Sequence, residues 1–234
     1  VTNELGDLID IVCTINEANL TACFAHSFQS YPENGMKAIM PFIKEAAEEC
    51  GSTLENFGPF LFGHPFKIRD CMMEAHVKSV PIIKSILNNN QPVGVTLSIM
   101  DYQAAEGGEK VRDQAYAESV DCCLDQVTND DFVGVQMYTR HTYGPDGIIK
   151  PKADDPNMLV MGYEYYPESL ENVVRYVSSK VKTPIMITEN GIGTDDDNQR
   201  IEYLTTALQG LQKCLDDGID VRGYFCWSLI GSVE

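Results

Sequence analysis

Seven residues stand at or just beyond the ends of apolar runs, where side chains could meet and do chemistry. Asn16 and Glu17 close the run over 8–16. Gln136 and Tyr138 close the run over 131–138. Glu189 follows Ile185-Met186-Ile187-Thr188, Trp227 lies late in the run over 221–229, and Glu234 ends the chain. If these runs are parallel neighbours, the groups gather on one rim. Carboxylates, amides, a phenol and an indole in one cleft have the makings of a sugar site, with the indole as an apolar platform and the polar groups binding hydroxyls. Two facing carboxylates also supply what glycoside hydrolysis needs, one to protonate the leaving oxygen and one to attack the anomeric carbon or activate water.

The elements that must position them are readable as a pattern. The runs 8–16, 93–99, 131–138, 184–188 and 221–229 are near-continuously apolar and β-branched. Such runs suit parallel strands covered on both faces. Helical spacing fills the intervals at 64–90, 109–127, 166–181 and 198–218. Pro81 predicts a kink or break in the first of these helices, Pro167 a first turn, and Gly218 a C-terminal stop. Asp195–Asp197 read as an acid-capped helix start rather than a cation site. The alternation predicts a parallel α/β fold, in which functional groups sit at the C-terminal ends of the strands. No Gly-x-Gly-x-x-Gly opens a helix, which removes the main support for a dinucleotide site.

The formal net charge of −18 repels nucleic acid and anionic membrane surfaces, so neither is an expected partner. The eight cysteines include no Cys-x-x-Cys pair and read as reduced thiols of a cytoplasmic protein. His26, His64, His76 and His141 are scattered without ligand spacing, and no metal or other cofactor is expected.

Four motifs then resemble one family. "TINEAN" (14–19) is similar to the T-[FI]-N-E-P acid/base segment of glycoside hydrolase family one. "ITENGI" (187–192) resembles its I/V-T-E-N-G nucleophile signature. "DFVGVQMYT" (131–139) is similar to its D-F-x-G-x-N-x-Y-T strand, and "YFCWSLIGSVE" (224–234) to its closing strand. The resemblance implies a (β/α)8 TIM barrel and a retaining β-glycosidase of the β-glucosidase type. Glu17 would be the acid/base and Glu189 the nucleophile. Asn16 would bind the 2-hydroxyl, Tyr138 would orient Glu189, Trp227 would stack on or bond to the glycone, and Glu234 would hold its distal hydroxyls. An acid at 234 favours an unphosphorylated sugar. Gln136 joins the substrate-binding set, His141 is either on the aglycone side or structural, and Arg140 either touches an aglycone or has a surface role.

The chain departs from the family pattern at Ala18, where Pro is usual, at Gln136, where Asn is usual, and at Gly231-Ser232-Val233. No segment matches the family's first three strands or last helix. The expectation is one domain over 1–234, about five βα units corresponding to strands four to eight of a longer protein. An open half-barrel of this kind has unpaired edges. The expected partners are a small β-glucoside and either a second copy of the chain or a separate N-terminal half-barrel. The rival reading is an inactive fragment, or a non-catalytic half-barrel that self-associates or binds sugar.

Overall fold

A computed structural model describes residues 1–27, 33–58, 63–87, 90–152 and 155–228. Glu234 and Gly231-Ser232-Val233 lie outside the described residues. Helix α1 (Thr2–Leu5) and a single 3-10 turn (Gly6–Leu8) precede β1 (Val12–Cys13). The first apolar run thus forms far less strand than 8–16. Among the described residues β1 has a strand neighbour on one side only, and its start is taken up by helical turns. The segment still climbs alongside the next strand, with Thr14 N–H donating to the Gly94 carbonyl (2.9 Å) and Ala18 N–H to that of Thr96 (3.2 Å).

Helices α2 (Leu20–Ser27), α3 (Glu33–Glu49) and α4 (Pro65–Ile86) follow. Pro81 neither ends nor splits α4, contrary to a break there. The carbonyl it leaves unbonded belongs to Val77, and both residues sit on the exposed side of the helix, where water can take the bond. His64 caps α4 through Nδ1, and Met73 is fully buried. His76 is fully buried between Thr14 Oγ1 (2.7 Å) and Asp130 Oδ2 (2.9 Å), tying the first segment to α4. These two histidines are structural, as expected.

Next come β2 (Val93–Ser98), β3 (Asp101–Ala104), α5 (Glu109–Tyr116), a π turn (Ala117–Asp121) and α6 (Cys122–Leu124). The expected 109–127 helix therefore carries one widened turn, whose Ser119 carbonyl accepts from Asn19 Nδ2 (2.9 Å). The chain continues through β4 (Phe132–Met137), β5 (Arg140–Gly144), β6 (Gly147–Ile148), α7 (Ser169–Lys180), β7 (Ile185–Asn190), α8 (Asp197–Asp216) and β8 (Val221–Cys226). Gly218, at φ +81, turns the chain out of α8 as its position predicts.

β1, β2, β4, β7 and β8 form one sheet in that order, and every pair is parallel. The curled sheet with helices outside it is part of a (β/α)8 barrel. All six residues of β2 and all six of β4 are buried, so the apolar runs are apolar because both faces are covered. Val173, Val174 and Val177 of α7 and Tyr203, Ala207 and Leu211 of α8 complete the core against β4 and β7.

A second sheet, β3-β5-β6, was not legible in the periodicity. β3 and β5 begin three residues after β2 and β4 end, so Thr139-Arg140-His141 lead into a second strand instead of a loop. His141 stacks on the buried Tyr102 ring (centroids 6.1 Å apart, planes 11° apart). Burial pushes its imidazole from 6.5 down to about 4. The native state thus binds fewer protons than the unfolded chain between these values, and stability is lost as pH falls through that window. Full loss of this contribution is on the order of 3 kcal/mol. Urea melts from pH 7 to pH 4 should show a His141→Phe variant losing less stability than wild type, with an equal slope marking the prediction as wrong.

Candidate active site

Glu17, Tyr138, Glu189 and Trp227 line one cleft of about 420 Å³ at the C-terminal rim of the sheet. Each arrives from a different strand. Glu17 lies just past β1 in the left-handed region, at φ 46, which an acid occupies only when its surroundings enforce it. Here Glu17 N–H donates to Thr96 Oγ1 (3.0 Å), and the next amide, Ala18 N–H, donates to the Thr96 carbonyl. Proline at position 18 could not make that second bond. Two residues on, buried Asn19 pairs with both backbone groups of Ser98. Its Oδ1 accepts from Ser98 N–H and its Nδ2 donates to the Ser98 carbonyl, each at 2.8 Å. The turn presenting Glu17 is therefore bolted to the end of β2.

Glu189 is placed by a strand irregularity. Val135 of β4 pairs with Ile187, but Gln136 pairs with Glu189, so Thr188 is the extra residue. A bulge of this kind re-aims a side chain and is common beside active sites. Thr188 Oγ1 donates to the Val135 carbonyl (3.4 Å), and Gly134 leaves room for it, since a Cβ there would lie 2.7 Å from Thr96 Cγ2 and 3.0 Å from Thr188. The Glu189 carboxylate then accepts from Gln136 Nε2 at Oε1 (2.5 Å) and from the Tyr138 hydroxyl at Oε2. Burial, and then the bond to Glu189, push the Tyr138 phenol far above its ordinary value. It stays protonated and acts as a donor to the carboxylate.

Gln136 also donates to Asn16 Oδ1 (2.9 Å), which accepts from Thr96 Oγ1 as well (3.2 Å). Gln136 is only 2% exposed and is not part of the cleft wall, so it sits beneath Glu189 and does not face a ligand directly. Asn16 is exposed beside it.

Trp227 follows β8, is exposed, and its backbone N–H donates to the Asn190 carbonyl (2.9 Å). Asn190, fully buried, donates to the Met137 carbonyl (2.8 Å) and accepts from the Tyr224 hydroxyl (2.9 Å), locking β4, β7 and β8 together. Gly191 is needed for close approach, not for a turn. A Cβ there would come 1.9 Å from the Trp227 carbonyl oxygen.

One part of the remaining wall is apolar, made by Leu20, Phe24, Met100, Leu159, Val160, Met161 and Ile192, while Ser98, Thr194, Asp195 and Arg200 add polar groups. The 159–163 part of it is pinned from behind. Arg140 holds Glu164 with two bonds (2.9 and 2.6 Å) and lies 3.9 Å over the Tyr166 ring, while Thr139 Oγ1 donates to the Glu164 carbonyl (2.8 Å). Arg140 and His141 are thus supports, and neither lines the cleft. Asp196 caps α8 by accepting from Asn198 N–H (2.9 Å), as the acid run predicts, whereas Asp195 lines the cleft. Sequence reasoning did not find Thr96, Asn19, Tyr203 or the apolar wall. Nothing in their local patterns sets them apart from core or loop residues.

With that geometry in view, residues 124–234 match the family model described as Glycosyl hydrolase family 1. That segment, just under half of the chain, belongs to glycosyl hydrolase family 1. The chain is 36% identical to the crystal structure of beta-glycosidase BGL167, with a TM-score of 0.84 over 97% of this chain and 54% of that one. It is 30% identical to the apo structure of a beta-glucosidase 1317, with a TM-score of 0.80 over 97% of this chain and 55% of that one. Among curated relatives, it is 27% identical to a beta-galactosidase of Sulfolobus acidocaldarius over 70% of this chain and 39% of that protein. It is 31% identical to Beta-glucosidase A of Thermotoga maritima over 44% of this chain and 26% of that protein. The chain therefore spans about half the length of these structures and less of these curated relatives.

The close approach at Gly191 makes a prediction. In Gly191→Ala the β7–β8 junction must open to clear the Trp227 carbonyl, at a cost of about 1–3 kcal/mol. Trp227 is the sole tryptophan of the chain, so its emission reports this directly. We expect a lower melting temperature together with a red-shifted spectrum, and an unchanged spectrum would count against this packing.

Proposed function

We propose that the protein is a retaining β-glycosidase of the β-glucosidase type, acting on terminal, unphosphorylated β-D-glycosides by double displacement. The observation that carries this reading is a carboxylate, Glu189, held between the Tyr138 hydroxyl and the Gln136 amide in a cleft it shares with Glu17. In the first step a Glu189 oxygen bonds the anomeric carbon while the bond to the leaving oxygen breaks, and that oxygen takes the proton of Glu17. In the second, Glu17 as carboxylate removes a proton from water, the water oxygen bonds the anomeric carbon, and the ester to Glu189 breaks. Trp227 offers the sugar a platform, and Asn16 and Glu234 are assigned its hydroxyls from the motif resemblance.

The relatives are named for glucosidase and galactosidase activities, and Glu234 favours a glycone without phosphate. The activity is proposed for the whole protein, and residues 1–234 are read as a single domain. Among the described residues β1 and β8 are the two edges of the sheet, and these are where further strands or a second copy would complete the barrel. No helix among the described residues is long and apolar enough to cross a membrane, and the eight thiols suit a cytoplasmic setting.

The test is hydrolysis of p-nitrophenyl β-glucoside by the native full-length protein. Glu189→Ala should abolish turnover, and Glu17→Ala should lower kcat by about 10²–10⁴-fold. Proton NMR of the first-formed sugar should show the β anomer. Wild-type-like turnover in Glu189→Ala would overturn the nucleophile assignment, and an α anomer would overturn the double displacement. A wild-type protein that binds glucoside without hydrolysing it would favour the binding-only half-barrel.

A further inference from the structure

We infer that Gln136 is a positioning residue that couples the two halves of the site, holding the Glu189 carboxylate and at the same time setting which face of the Asn16 amide is presented to a ligand. The inference rests on the reading of Glu189 as nucleophile, but its structural content stands apart from turnover.

The orientation follows from donor and acceptor logic. An ionised carboxylate only accepts hydrogen bonds, so the atom of Gln136 that lies 2.5 Å from Glu189 Oε1 must be Nε2. Nε2 carries two hydrogens, and the second points to Asn16, 2.9 Å away. Asn16 must then turn its Oδ1 inward, where the Thr96 hydroxyl supplies a second donor (3.2 Å). The Thr96 hydroxyl has one proton, which the Ile15 carbonyl also approaches (3.4 Å), so the Gln136 bond is what turns the Asn16 carbonyl inward and leaves its Nδ2 face for a ligand. The state of Glu189 thus passes through one amide to Asn16, 120 positions from Gln136 in the chain.

What this arrangement gives up supports the reading. Gln136 Oε1 is buried and has no partner among the described residues. A buried carbonyl without a bond is unfavourable, and a side chain kept for packing alone would carry no such atom. The position serves its two donors. Register agrees, because the bulge at Thr188 is what pairs Gln136 with Glu189 across β4 and β7.

Removing the donors should make the Glu189 anion harder to form, since a hydrogen bond to the charged form of a carboxylate favours that form. The experiment compares wild type with Gln136→Met, which keeps the shape without the donors, and Gln136→Glu, which places a second acid beside the first. Full-length protein carrying ¹³C-labelled glutamate is titrated by NMR, with Glu189→Gln identifying the Glu189 signal, and pH–rate profiles are measured on the aryl glucoside. Gln136→Met should raise the Glu189 titration midpoint by about one pH unit. The acid limb of kcat/KM should move in step, with a fall of roughly tenfold at its optimum. In Gln136→Glu one of the two acids should titrate higher still, because like charges sharing a site resist joint ionisation. An unmoved Glu189 midpoint in whichever variant folds overturns the inference, whatever happens to activity. A shifted midpoint in proteins that do not hydrolyse the glucoside upholds the role of Gln136 and overturns the catalytic reading instead.

Discussion

The parallel ladder running from β2 through β4 to β7 is the constraint on which the rest depends. Its strands are buried on both faces, so each backbone group must find its partner in the ladder or be satisfied by a side chain. At the C-terminal ends the ladder stops, and side chains take over. Thr96 receives the amide of Glu17, Thr188 reaches the Val135 carbonyl, and Asn190 donates to Met137. The residues that terminate the sheet are therefore the same ones that hold the segments carrying Glu17 and Glu189 to the cleft.

Three amides act as cross-members between strands. Asn19 joins the segment after β1 to Ser98 and to the π turn. Gln136 joins Asn16 to Glu189. Asn190 joins β4, β7 and the Tyr224 hydroxyl of β8. An amide suits this work because it offers both donors and acceptors in a fixed plane without a charge to bury. Fully bonded polar groups of this kind specify one arrangement, whereas apolar side chains would pack in several. Gln136 is the exception, with one carbonyl left over. A local violation of this sort is expected where a site is built for function.

The cleft has two characters. Its floor is polar and rigid, held by short bonds between strand ends. Its wall, from Leu20 and Phe24 across to Leu159–Met161, is apolar and comes from connections, fastened from behind by Arg140 and Glu164. Reacting groups on strand ends and variable groups on loops is the division of labour that lets one barrel host many substrates.

Much of this was legible in one dimension. The four long apolar runs after the first mark real strands, and the alternation with helical spacing marks a parallel sheet, because burial on both faces leaves few other residue types acceptable. Glu17, Tyr138, Glu189 and Trp227 were identifiable because each stands where an apolar run ends, and the structure brings them to one cleft. Other features needed the tertiary structure. The short β1, the second sheet and the unbroken α4 depend on neighbours far along the chain, which local pattern does not contain. Gln136 looked like a ligand-facing amide from sequence, yet it is buried against the Glu189 carboxylate, because a bulge at Thr188 decides what it faces. Gly191 is needed because its backbone passes the Trp227 carbonyl, a contact that the local sequence does not contain. Residue type and period determined which groups exist and where each strand ends. Register, a relation between strands, decided which groups touch.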